Sequence, residues 1–305
     1  MKFGYSIPGN QGFEDVHALV DLARQAESCG FDSVWASEHL FHSSYIAERL
    51  GNRPYYEPLT LLTAVAAVTS RVRLGTSVLV LPWHDPPRLG KVVATLDHLS
   101  DGRVDLGVGV AITADEYANL GVDFRTRGRR TDDFIRALKA LWTQETPEHA
   151  GEFYRYSGLK FSPKPRQQPH PPILIGGGSL AALRRTARHG DGWHALRKTP
   201  AEMRESLAEL ARLTEAEGRD PGALHISISL PVTFGTEPSE RAPAERTGLK
   251  GEPADMAETL QAYADAGVHE VVLTLSSREK AAHVEMLKRV SEEVRLLVAG
   301  QARAG

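Results

Sequence analysis

Four residues, Gly176, Gly177, Gly178 and Ser179, stand between a short apolar run (173–175) and a segment with helical spacing (180–189). Glycine has no Cβ, so the backbone there can adopt φ > 0 and come close to a ligand, and Ser179 is a good N-cap. A strand that ends in such a turn at a helix start gathers unpaired N–H groups and the positive end of the helix dipole at one point. That is an anion site, most naturally for phosphate. A plain tight strand-to-helix turn needs the same glycines, and the run by itself does not separate the two readings. It is not the dinucleotide fingerprint, because residues 180–183 supply no third glycine inside the helix. Imidazole is the second chemistry on offer. His39, His84 and His194 could converge at one mouth of the fold, and a metal site needs three or four such ligands. None of the three belongs to a His-x-x-x-His or Glu-x-x-His pair, and Thr76, Ser77 and the glycine turn suit an organic cofactor better.

What positions these groups is a run of alternating elements. Apolar and β-branched stretches at 3–7, 33–36, 72–81, 104–110, 173–175, 193–195, 224–234 and 270–275 predict eight strands. Between and after them, helical spacing predicts helices that include 58–69, 89–99, 132–142, 200–217, 256–266 and 280–298. Strand and helix alternate without hairpin spacing, which argues for a parallel sheet with helical crossovers. The count of eight and the lack of a dividing linker favour one α/β domain over 1–305, a (β/α)8 TIM barrel with insertions, against an open doubly wound sheet. One insertion, 145–172, reads as a small hairpin followed by a proline-rich extended path. The other, 235–253, is long, charged and rich in Pro and Gly, which is lid-like or disordered. Barrel ligands sit at the C-terminal ends of the strands. There stand Glu38 and His39 after the second strand, Ser77 and Val78 in the third, Gly107 and Asp115 in and after the fourth, the glycine turn after the fifth, and His194 at the sixth.

Composition narrows the class. The chain has 305 residues, 41% hydrophobic, enough for a large core. Its 36 basic and 39 acidic residues give a formal charge of −3 with no basic run, so nothing points to nucleic acid or an anionic membrane. Cys29 is the only cysteine, which excludes an internal disulfide and a cysteine metal cluster. No apolar run approaches membrane-spanning length and residues 1–5 lack the apolar core of a signal peptide, so the expected location is cytoplasmic.

At the strand ends the sequence resembles the luciferase-like monooxygenase superfamily, in particular its branch using the deazaflavin coenzyme F420. The matching pieces are Ser37-Glu38-His39-Leu40, Leu74-Gly75-Thr76-Ser77-Val78, Leu99-Ser100-Asp101-Gly102-Arg103 with Gly107-Val108-Gly109, and Ile175-Gly176-Gly177-Gly178-Ser179 with Gly190-Asp191-Gly192-Trp193. They follow one another over nearly the whole chain. The resemblance implies that the phosphate of a flavin or deazaflavin lies on Gly177, Gly178 and Ser179. It also implies a cis peptide between Ser77 and Val78, forming a bulge behind the ring, and a homodimeric assembly. His39 matches the histidine this branch places near the reactive face of the ring, where imidazole can give or take the proton that accompanies hydride transfer. Glu38 stands where many relatives carry Asp beside the polar edge of the ring; an exposed ion-pair partner is its competing role. Asp115 and Glu116 fall where relatives carry polar residues near ring or tail, and equally they would charge the first turn of a short helix.

The chain departs from the pattern at two points. The glutamate that serves the sugar-phosphate dehydrogenases of this branch as proton donor or acceptor would fall at Ile112, and their aromatic residue after the histidine near Ser43. Sugar-phosphate oxidation is therefore not expected. The expectation is an oxidoreductase moving a hydride between coenzyme F420 and a small organic substrate. The alternatives are an FMN-dependent two-component monooxygenase of the same fold and, from another class, a catalytically silent flavin-binding barrel or a phosphate-binding lyase or isomerase.

Overall fold

The structure, a computed structural model, describes residues 1–235 and 241–298. Among them, strands β1 (Lys2–Ser6), β2 (Ser33–Ala36), β3 (Arg73–Thr76) with β4 (Leu79–Val80), β5 (Val104–Gly109), β8 (Ile173–Gly176), β9 (Gly192–Leu196), β10 (His225–Phe234) and β12 (Glu270–Thr274) form eight parallel staves. The ring closes through β10 on β9 and β12, with Ile228 opposite both Ala195 and Val271, and through β12 on β1, with Val271 opposite Phe3. Every residue of β2 and β5 is buried. That is the pattern of strands covered on both faces, and it explains why they read as apolar runs rather than alternating ones.

Helices α1 (Val16–Ser28), α3 (Pro58–Val68), α4 (Pro86–Leu99), α6 (Arg127–Thr143), α7 (Leu180–His189), α8 (Pro200–Ala216), α9 (Pro253–Asp265) and α10 (Lys280–Arg289) provide the crossovers. Their starts are chemically marked. Pro stands in the first turn of α3, α4, α8 and α9, and α8 carries a capping box in which Thr199 and Glu202 satisfy each other's backbone N–H. Inside the barrel Trp35 packs with Leu174 and Val272. Gly75 makes room for it, since a Cβ there would overlap the indole ring.

Several local features differ from the sequence reading. The third strand is not continuous over 72–81: it stops at Thr76, passes through a cis peptide between Ser77 and Val78, resumes at Leu79, and ends in a 3-10 turn, Leu81–Trp83. Between β2 and α3, where no helix is predicted, a short helix forms, α2 (Ser44–Leu50), and α5 (Ala114–Asn119) follows β5. Helix α6 starts five residues before the apolar spacing begins, because its first turn, Arg-Gly-Arg-Arg, has no apolar face to reveal it. In the 145–172 insertion, β6 (His149–Ala150) and β7 (Arg155–Tyr156) pair antiparallel. Buried Asp133 of α6 anchors this hairpin by accepting the N–H of Phe153 (2.8 Å) and bonding His149 Nε2 (2.9 Å). Of the 235–253 segment, residues 236–240 lie outside the described residues; beyond them β11 (Leu249–Gly251) adds to β10 and Arg246 is buried against Thr259.

Gly75→Ala should lower stability by about 1–3 kcal/mol, the usual cost of overpacking a filled interior. Pairing it with Trp35→Phe should recover part of that loss in a double-mutant cycle of urea midpoints. Additive losses would mean that the indole does not set the space at Gly75.

Candidate active site at the C-terminal mouth

The strand ends surround a cavity of about 550 Å³. One wall is the break in the third stave. Ser77 and Val78 line the cavity, and the bulge fits because neighbouring strands present glycines to it. A Cβ on Gly109 would come within 2.6 Å of Val78 Cγ2, one on Gly176 within 2.7 Å of Val78 Cγ1, and one on Gly107 would overlap the carbonyl oxygen of Thr76. Gly107 thus serves the close approach of two strands, behind the cavity.

The adjoining wall is the turn after β8. Gly176 and Gly177 line the cavity. Gly177 has φ +110°, a left-handed region that glycine enters freely, and its carbonyl accepts Trp193 Nε1–H at 2.7 Å. Gly178 follows, with Lys198 Cε 3.2 Å from where a Cβ would stand. Ser179 caps α7, its hydroxyl accepting the Ala182 N–H at 3.2 Å. The remaining first-turn N–H groups of α7 have no partner within the helix. Backbone donors, a helix N-terminus and an ammonium group therefore meet at one turn, which is a donor set for phosphate.

Beneath the cavity His194 stacks on Trp35, ring centroids 5.0 Å apart and nearly coplanar. Its two ring nitrogens are engaged by Ser77 Oγ and Ser227 Oγ, each at 2.8 Å. Burial pulls this imidazole down from 6.5 to about 4, so it is neutral at physiological pH and positions Ser77 as a hydrogen-bond partner.

His39 follows β2, two residues beyond Ser37, and is not itself among the residues that line the cavity. Its Nδ1 lies 2.7 Å from Glu116 Oε2 and its Nε2 2.9 Å from the Tyr45 hydroxyl. Ser37, which lines the cavity, bonds the Tyr55 hydroxyl at 2.8 Å, and the Tyr55 ring stands 5.5 Å from that of His39. Glu38 points elsewhere. It is buried, accepts the Val80 N–H at 2.7 Å and pairs with His84 Nε2 at 2.8 Å, so it braces the bulged stave and is not an exposed ion-pair partner. Burial pulls His84 down, but the hydrogen bond and charge of Glu38 outweigh it and hold the imidazole above its ordinary value.

The three histidines weighed as metal ligands do not converge: His39 pairs with Glu116, His84 with Glu38, and His194 sits between two serines. Asp115 lies in the first turn of α5 and accepts the Glu116 N–H; its neighbour Glu116 is the one that reaches His39. The cavity also takes in Asn10 and Gln11 after β1, Arg197 after β9, and Thr247. These carried no motif, and only the rule that barrel ligands meet strand ends points to them.

The family model for luciferase-like monooxygenases matches residues 1–246. The chain belongs to this family. Similar curated proteins include an uncharacterized protein of Mycobacterium tuberculosis strain H37Rv, 35% identical over 75% of this chain and 81% of that protein. An F420-dependent glucose-6-phosphate dehydrogenase of Kineococcus radiotolerans is 32% identical over 79% of this chain and 70% of the relative. An FMNH2-dependent dimethylsulfone monooxygenase of Pseudomonas putida is 28% identical over 83% and 71%. This luciferase-like chain thus sits among relatives named for both cofactors. Among the described residues, no helix is long and apolar enough to cross a membrane.

The His194 environment gives this luciferase-like barrel a specific acid response. The unfolded imidazole takes up a proton near 6.5 and the folded one only near 4, so stability is full above pH 6.5 and falls between those values. The total is roughly 3 kcal/mol at 1.36 kcal/mol per unit. In His194→Asn that contribution should vanish: the stability difference between wild type and variant should change by this amount from pH 7 to pH 4. A pH-independent difference would contradict the assignment.

Proposed function

We propose that this luciferase-like chain is an oxidoreductase that binds coenzyme F420 at the C-terminal mouth and moves a hydride between it and a small organic substrate. One observation carries the reading: a single cavity joins the Ser77–Val78 bulge to Gly176 and Gly177 of the glycine turn, and an imidazole backed by a buried carboxylate stands two residues beyond Ser37 of its lining. The donors at the turn fit a phosphate: the Gly177 N–H is engaged by the His194 carbonyl at 3.3 Å, so the Gly178 backbone, the start of α7 and Lys198 are the groups that would hold it. Ser77 and Val78 would back the ring, and burial of Val80 and Leu81 behind them keeps water from that side. Bound F420 supplies hydride chemistry. His39 gives or takes the accompanying proton. The F420-named relative is the more similar of the two cofactor-named relatives, 32% against 28%. A sugar phosphate is not proposed as substrate, since Ile112 stands where the matching dehydrogenases carry a glutamate.

The second reading, an FMN-dependent monooxygenase, is supported by the Pseudomonas putida relative. Titrating the cofactor-free protein side by side with F420 and FMN, followed by ring fluorescence, separates the two. Tight binding of F420 alone is the expected result; preference for FMN would move the protein to the oxygen-using reading, and binding of neither would reopen a lyase or isomerase.

Two substitutions sharpen the test. His39→Ala should leave F420 affinity within about threefold while lowering turnover about 10²–10⁴-fold, the usual weight of general acid–base catalysis. Equal loss of both would make His39 structural. Gly177→Val should abolish F420 binding, because a β-branched residue does not adopt φ +110°; unchanged affinity would remove the turn from the cofactor site.

A further inference from the structure

Glu116 is the most heavily engaged carboxylate at the mouth. It is wholly buried, on the short helix α5, and four groups converge on it. Oε2 faces His39 Nδ1 at 2.7 Å and the Thr113 hydroxyl at 2.6 Å, and Oε1 accepts the backbone N–H of Leu40 at 3.0 Å and of Phe41 at 3.3 Å. Burial raises the pKa of this carboxyl, but the hydrogen bonds from His39 and Thr113 outweigh burial and leave it below the ordinary value. The group is therefore an anion at neutral pH, and an ionised carboxylate only accepts hydrogen bonds.

An accept-only partner dictates the ring opposite it. The neutral imidazole carries one proton, and with an anion at Nδ1 that proton belongs on Nδ1. Nε2 then keeps the lone pair. It faces the hydroxyl of Tyr45, a half-exposed residue of α2, whose ring meets the imidazole edge to face at 5.8 Å. Glu38, next in sequence, cannot play this part, because both its oxygens are turned to Val80 and His84. The same carboxylate also pins the two peptide groups after His39, so ring orientation and main-chain course are fixed together.

We propose that Glu116 is a positioning residue for His39: it holds the imidazole as the Nδ1–H tautomer, so that Nε2, on the side of the Tyr45 hydroxyl, is the nitrogen that takes up and releases the proton. The proposal rests on the reading of His39 as the proton relay and adds to it which nitrogen works and what keeps that nitrogen unprotonated in the neutral ring. In the relay the Nδ1–H bond stays intact. A proton arriving from the reacting molecule forms the Nε2–H bond, giving an imidazolium opposite the Glu116 anion, and the reverse step returns the neutral ring.

The test is a pH series of ¹⁵N spectra of the full-length protein with ¹⁵N-labelled histidine, the His39 signals being those lost in His39→Gln. The expected neutral form has Nδ1 protonated in roughly tenfold excess or more, as a charge-assisted hydrogen bond implies. On acidification Nε2 should take the second proton. In Glu116→Gln the amide offers an N–H as well as a carbonyl, so the excess should collapse or invert, with F420 affinity within about threefold of wild type. A wild-type spectrum with Nε2 protonated in the neutral form overturns the proposal without any variant, as does an unchanged tautomer in Glu116→Gln. Should Glu116→Gln lower thermal stability and F420 affinity together, Glu116 merely pins the loop and the positioning role falls. Failure of the relay reading shows itself separately, as unimpaired turnover in His39→Ala with the wild-type tautomer still as described.

Discussion

The mouth of this barrel depends on a steric constraint: the third stave is interrupted, and its neighbours must yield the space. Val78 projects where side chains of the adjacent strands would otherwise meet, so Gly109 and Gly176 cannot carry a Cβ without crowding it, and Gly107 lets the Thr76 carbonyl approach. Thr76 in turn donates its hydroxyl to the Gly107 carbonyl at 2.7 Å, and the Ser77 N–H reaches the Ala36 carbonyl at 2.7 Å. The hydrogen bonding that a straight strand would have made is replaced on both sides, as buried backbone requires. These glycines read in the sequence as part of a family motif. In the structure, the physical reason for Gly109 and Gly176 is the side chain of Val78, and for Gly107 the carbonyl of Thr76, residues some thirty to a hundred positions away.

Two buried carboxylates then tie the loops to this frame. Glu38 links the end of the second stave to the Val80 N–H and to His84, fixing the segment just after the bulge. Glu116 does the same between the loop after the second stave and the helix after β5. Each is fully enclosed and each faces only donors, which is the condition under which a buried carboxylate is tolerated. The aromatic side chains Tyr45, Tyr55 and Trp83 surround His39 at centroid distances of 5.5–6.0 Å and give that imidazole an apolar setting on a fixed mount.

The staves were legible because a strand buried on both faces must be an apolar run, and the eightfold alternation followed from those runs alone. What failed to show was whatever rests on contacts between distant segments. Among its described side chains, helix α2 buries only Ile46 and Leu50, so a polar composition concealed it. The third strand looked continuous because Val78, Leu79, Val80 and Leu81 are all apolar, and only the resemblance to the family anticipated its break. Asp115 and Glu116 are neighbours of the same charge type, and composition cannot say which faces inward; helical phase decides, placing Glu116 with buried Tyr117 under the loop of His39. His194 attracted attention as a possible ligand, whereas its two serine partners and the indole beneath it come from three other strands.

The arrangement also bears on where a cofactor would be chosen. F420 and FMN both carry a phosphate, so on the proposed reading a turn built from glycine backbone, a helix start and Lys198 recognises what the two share and cannot tell them apart. Discrimination has to come from groups that meet the parts in which they differ, the ring edge and the tail beyond the phosphate. On that reading the candidates are polar residues that line the cavity at the ends of other staves, Asn10 and Gln11 after β1, Arg197 after β9 and Thr247 beside β11. Arg197 is held at φ +55°, an uncommon conformation for a residue with a side chain, in a loop whose next residue, Lys198, accepts the Tyr263 hydroxyl through its carbonyl. The loop is thus anchored from below while Arg197 stays exposed, so on the proposed reading selectivity can change through Arg197 without disturbing the groups that would hold the phosphate.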